Sequence, residues 1–122
     1  MIHLSRREFV RLVRQAYGEV PLPVKKALHN VDIAVEEWPG PEGLELAEGA
    51  STLFGLYIGV PLPERQGGEP LLPDRIVIYR QPLLRSCSTK AEAVREIQVT
   101  VLHEVGHCLA IDEEGLRRLG YG

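Results

Sequence analysis

The chain reads as an α+β domain built around a small sheet. Three observations predict this. Helical periodicity occupies both ends of the sequence, β-branched or alternating runs occupy its middle, and Gly- and Pro-rich stretches join the runs. At 122 residues the chain has room for one domain, 1–122, with one core.

At the N-terminal end, Ser5 followed by Glu8 is a capping box. Phe9, Leu12, Val13, Ala16 and Tyr17 then recur at helical spacing, so an amphipathic helix is expected over 6–17, closed by Gly18. Pro21 and Pro23 restart the chain, and a short second helix is expected over Val24–His29. Val31–Val35 alternates like a strand and stops before Trp38-Pro39. Pro39–Ala50 reads as a loop. Thr52–Val60 is a second strand candidate, with Gly55 and Gly59 as points of bulge or close approach. Pro61–Asp74 is a long loop, and Arg75–Arg80 is the cleanest strand. Thr89 and Glu92 form a second capping box, opening a helix from about Lys90 to Ala110. Its apolar stripe is Val94, Ile97, Val101, Val105 and Cys108, with Leu102 and Leu109 alongside. Asp112 can cap a last short helix through Leu119.

Composition narrows the function classes. The chain is 44% hydrophobic and 25% charged, which is ordinary for a soluble domain. A net charge of −3 lacks the basic excess that grips a nucleic-acid backbone, so no nucleic acid is expected as partner. Arg6, Arg7, Arg11 and Arg14 read as the wet side of the first helix. No segment is long and apolar enough to span a bilayer, and the N-terminal sequence has no apolar run before a cleavage site. A cytoplasmic location is therefore expected. Cys87 and Cys108 would lie roughly 30 Å apart if the segment between them is mostly helical, too far for a disulfide. A reducing compartment fits. The preference for Arg over Lys and the single Asn, Asn30, hint at a heat-adapted source.

The chemistry concentrates in residues 103–107, His-Glu-Val-Gly-His. Helix positions four apart lie one turn apart on one face, so His103 and His107 can both reach one zinc ion at about 2.0–2.1 Å. Glu104 is rotated about 100° from His103. That makes it a proton acceptor beside the metal rather than a ligand. Zinc lowers the pKa of a coordinated water to roughly 7, and Glu104 then serves as the general base. The pattern rarely arises by chance in so short a chain, and here it falls inside a well-capped helix whose apolar stripe the histidines avoid. The bland alternative is two surface histidines and an ordinary Glu.

Two imidazoles are too few for a stable site, since catalytic zinc usually has three protein ligands and an open position. The acids Asp112, Glu113 and Glu114 are the nearest source. Asp112 competes with its capping role. Glu113 follows after the long helix should have turned, and is the preferred third ligand over Asp112 and Glu114. All three also suit a helix N-terminus without any metal.

These residues resemble the zincin metallopeptidases with an HExxHxxGxxD-type motif, and more closely the small bacterial "minimal zincin" family. The likeness extends to Leu53–Arg65, Pro73–Leu84 and Glu113–Gly120. It implies a reduced zincin fold, with a small mixed sheet of about three strands packed on a long active-site helix. It also implies N-terminal helices, a short C-terminal helix, zinc as cofactor and a peptidase-like site. On this likeness His103 and His107 take the ligand positions, Glu104 the base and Glu113 the third ligand. Two departures stand out. Ala110 occupies the motif's glycine position, and Glu113 replaces its aspartate with a longer side chain. Met1 is the only methionine, so no Met-turn follows the helix.

The remaining candidates have plainer readings. His3 and His29 read as surface residues, and Cys108 as core. Cys87 reads as half exposed and without a role. Tyr121 could hold a developing oxyanion. Tyr57 and Tyr79 read as strand-packing residues and Trp38 as a core or hinge contact. Leu53–Val60 is the expected sheet edge for an extended peptide, because its glycines permit close backbone approach. The leading expectation is a zinc metallopeptidase acting on a peptide or protein substrate. The alternatives are a zinc-dependent endoribonuclease, with Glu113 in the third position of an HxxxHxxxxxH spacing, and a non-catalytic zinc- or peptide-binding module.

Overall fold

Local signals set most of the elements in the computed structural model, which describes residues 2–28, 31–41, 54–59 and 74–109 together with Glu114 and Arg118. Helix α1 runs Arg6–Gly18. Its first turn is closed as the capping box requires: the Glu8 N–H donates to Ser5 Oγ at 3.1 Å. Phe9, Leu12, Val13 and Ala16 are buried, while Arg6, Arg7, Arg11 and Arg14 are exposed. Helix α2 is Leu22–Ala27, two residues earlier than its expected start. Pro23 lies within its first turn, where the missing N–H would have no partner in any helix, so proline opens the helix instead of preceding it.

Three strands form one mixed sheet in the order β1-β3-β2. They are β1 (Val31–Glu36), β2 (Gly55–Ile58) and β3 (Asp74–Tyr79). β1 runs parallel and β2 antiparallel to β3. Two helices follow the sheet, the short α3 (Arg80–Arg85) and the long α4 (Lys90–Cys108). The register aligns Ile33 and Tyr57 with Ile76, and Val35 and Gly55 with Ile78. Because side chains alternate along a strand, these residues share one face. That face meets α4, which packs on β2 and β3 and also on α1. Phe9, Val13, Ile76, Ile78, Leu83, Ile97 and Val101 are essentially solvent-free and form the centre of the core. Thr89 Oγ1 accepts from the Glu92 N–H at 3.1 Å, and Glu92 returns the bond by accepting from the Ser88 N–H at 3.1 Å. The described helix ends at Cys108; its expected end, Ala110, lies outside the described residues.

The structure corrects several expectations. β3 begins at Asp74, which is buried at the strand start and is not part of a loop. β3 ends at Tyr79, because Arg80 opens α3, a helix that periodicity does not reveal. Six residues are too few for a periodic signal. Pro82 in its first turn and the buried pair Leu83 and Leu84 are the only traces of it. Cys87 is 2% exposed, within the core. Trp38 is 53% exposed and lies 5.0 Å from the Arg85 guanidinium, so it is a surface cation–π partner and not a core contact. The expected Thr52–Val60 strand is described only over Gly55–Ile58, with Thr52, Leu53 and Val60 outside the described residues. The last helix is likewise described only at Glu114 and Arg118, both helical and paired at 2.8 Å.

A charged cluster joins the N-terminal segment to the sheet. Arg80 is buried and donates to Glu37 at 2.5 Å and, by a short bond, to the Leu4 carbonyl. Glu37 also accepts from Arg6 at 2.7 Å and from Gln81 at 2.9 Å. The Gln81 amide, followed by the two guanidinium groups, holds the Glu37 carboxyl below the usual range against the opposing effect of burial.

Candidate metal centre

The C-terminal half of α4 crosses the sheet where β2 approaches most closely, and Gly55 is the reason it can. A Cβ at Gly55 would stand 2.7 Å from Thr100 Cγ2 and 3.2 Å from Glu104 Cγ. Any side chain there would push β2 away from the helix. Thr100 and Glu104 are therefore buried although neither belongs to the predicted apolar stripe. They occupy a second helix face that β2 covers.

His103 and His107 stand one turn apart, half-exposed, with ring centroids 4.7 Å apart and planes crossing at 61°. Glu104, with only 8% of its side chain exposed, places Oε1 3.4 Å from His107 Nδ1. That distance exceeds a good hydrogen bond. One donor atom from each of the three residues lies within 4.8 Å of the others. Two ligands on a tetrahedral zinc sit roughly 3.3 Å apart at the usual bond lengths, so small side-chain rotations would bring both imidazoles onto one ion. The donor set, two borderline-soft nitrogens with a carboxylate beside them, suits zinc. His103 and Glu104 line a cavity of about 250 Å³ walled by Phe54, Gly55, Val99 and Thr100.

A second polar group lies behind this helix end. Asp74 Oδ2 accepts from the Tyr57 hydroxyl at 2.9 Å, and Cys108 Sγ stands 3.7 Å from the same oxygen. Gly59, at φ 155°, passes so close that a Cβ would stand 2.4 Å from Asp74 Oδ1. Cys108 is buried as expected, but against a carboxylate and not against hydrocarbon alone. These contacts tie the end of α4 to β2 and β3. Asp74 escapes a reading of sequence because it closes a Gly/Pro-rich stretch. The one available signal is an acid two residues before the β-branched run Ile76-Val77-Ile78.

The structure thus brings together His103, Glu104 and His107. Glu113 and Asp112, the expected third ligands, lie outside the described residues, as do His29 and Tyr121. Glu114 is paired with Arg118. His3 is exposed. Tyr57 and Tyr79 pack in the sheet as expected, Tyr57 also serving Asp74. Among the described residues no helix is long and apolar enough to cross a membrane.

Comparison with known proteins agrees with this geometry. No curated protein matches the chain. Among solved structures, a conserved hypothetical protein from Thermo thermophilus is similar, with 28% identity and a TM-score of 0.59. The match covers 87% of this chain and 94% of that one. A model of the zincin-like metallopeptidase family matches residues 28–122, a span that includes all three strands and the His-Glu-Val-Gly-His helix. The chain belongs to the zincin-like metallopeptidase family.

Proposed function

We propose that the chain is a zinc-dependent peptidase in which His103, His107 and Glu113 hold the metal and Glu104 is the general base. The observation that carries this reading is the position of Glu104. Its carboxylate is nearly buried, lines the cavity beside His103, and among the described residues has only a long contact, to His107. A nearly buried carboxylate that opens on a cavity, with no close donor among the described residues, is placed to accept a proton there.

A bound zinc ion would supply Lewis-acid chemistry, acidifying water and polarising a carbonyl. The chain's own contributions are as follows. Glu104 takes the proton from the attacking water and passes it to the leaving amine. Phe54 and Val99 give the cavity an apolar wall. β2 is an edge strand in the described sheet order, bonded to β3 on one side. An extended peptide added along its other side would pass the cavity, with Gly55 letting the two backbones and the helix come close.

Metal analysis of untagged protein, paired with peptide hydrolysis by wild type and Glu104→Gln, tests the reading. One equivalent of zinc is expected in both proteins, with hydrolysis lowered about 10²- to 10⁴-fold in the variant. Full activity in Glu104→Gln, or no zinc uptake at saturation, would overturn it.

A further inference from the structure

The cavity at the metal centre does not stop at His103. A second cavity of about 470 Å³ shares Phe54, Glu96 and Val99 with it. On α4, Glu92, Glu96, Val99 and His103 follow one another at spacings of four, three and four residues, a single stripe along one helix face. The two cavities therefore form one groove between Phe54 and this stripe. Glu96 sits at their junction.

Glu96 is half-buried, and no ion pair or hydrogen bond engages it among the described residues. Its neighbours differ. Glu92 is committed to the Ser88 N–H, and Arg95, which lines only the outer cavity, is exposed. Arg95, three residues from Glu92 and four from Val99, bounds the outer cavity, whereas the inner cavity between Glu96 and His103 has no Lys or Arg in its lining among the described residues. Seven residues separate Glu96 from His103, about 10.5 Å along the helix. That distance keeps Glu96 out of the coordination sphere of a cation held at His103. It also equals about three residues of extended chain.

We propose that Glu96 selects substrates, favouring a peptide that carries Lys or Arg within three residues of the cleaved bond. The inference rests on the peptidase reading for its substrate class, and its test is independent of turnover. Fluorescent octapeptides, identical except for Lys, Gln or Glu scanned along the chain, are titrated into Glu104→Gln protein and followed by anisotropy at low salt. A Lys peptide is expected to bind about fivefold more tightly than its Gln counterpart, in keeping with a partly exposed ion pair. Adding Glu96→Gln should bring that ratio to about one, and Glu96→Lys should invert the preference toward Glu. Equal binding of all three peptides, a Lys preference that survives Glu96→Gln, or no binding of any peptide would overturn the proposal. A preference that follows Glu96 in a chain whose wild type cuts no peptide would count against the peptidase reading alone. Cleavage without charge preference would count against Glu96 alone.

Discussion

Two buried charged groups in this molecule are treated in opposite ways. Arg80, at the β3–α3 junction, draws partners from three parts of the chain: the Leu4 carbonyl, Glu37 after β1, and through Glu37 both Arg6 and Gln81. Glu104, on α4, is buried to a similar degree, yet its contact is a 3.4 Å approach to His107. Burial costs both groups hydration. In the first case protein dipoles and charges replace most of the lost water at the two terminal nitrogens, while Arg80 Nε stays buried without a partner among the described residues. In the second the replacement is left incomplete, and the carboxylate faces a cavity. A buried charge bonded to several elements holds them together, whereas one that opens on a cavity is available for chemistry.

The contrast is broken most directly by neutralising each group. Arg80→Met leaves Glu37 and the Leu4 carbonyl without their buried donor, and unfolding free energy should fall by about 2–4 kcal/mol. Glu104→Gln, compared in chelator-treated protein, should change stability little or raise it by about 1 kcal/mol. Urea denaturation of the two variants beside wild type checks both. Equal losses would mean that Glu104 is as fully solvated by the protein as Arg80 is.

The contact between β2 and α4 sharpens the comparison at an intermediate scale. Gly55→Ala introduces a methyl group 2.7 Å from Thr100 Cγ2 and 3.2 Å from Glu104 Cγ, so strand or helix must shift. Overpacking of this kind costs about 1–3 kcal/mol. The shift displaces Glu104, so with Glu104 as the proposed base hydrolysis should fall more than stability alone explains. An Ala variant with wild-type stability and turnover would show that β2 does not position Glu104.

The two regions also differ in how legible they are. The His103-Glu104-His107 group is readable because it is local: two histidines four residues apart within a helix opened by Thr89 and Glu92 define a face without any tertiary information. The same holds for α1 and for β1, whose patterns are carried by contiguous residues. The Arg80 cluster is not readable. Its hydrogen-bonded pairs lie 31 to 76 residues apart, and Arg80 at the end of a strand looks like any solvent-facing terminus. Asp74 fails for the same reason, since only the meeting of β2, β3 and α4 buries it. Gly55 is intermediate. Its close approach follows from the residue type, but its partners Thr100 and Glu104 do not.

The smallest expected effect separates the contributions within the Arg80 cluster. The folded-state pKa of Glu37 is depressed, so its stabilisation is present in full above the ordinary Glu value of roughly 4.3. It is lost as pH falls through the lowered folded value. Glu37 is 39% exposed, so screening limits the contribution to about 1 kcal/mol or less. Gln81 is the largest cause of the shift and Arg6 precedes Arg80 among the rest. Arg80→Met should therefore weaken the acid-dependent loss of stability without removing it, whereas Glu37→Gln should remove that component. Urea midpoints measured from about pH 6 down to about pH 3, a range that brackets the ordinary Glu value, decide the point. If Arg80→Met abolished the whole Glu37-dependent component, the guanidinium of Arg80 alone would set that carboxylate's charge, and the cluster would act as a single ion pair rather than as a shared network.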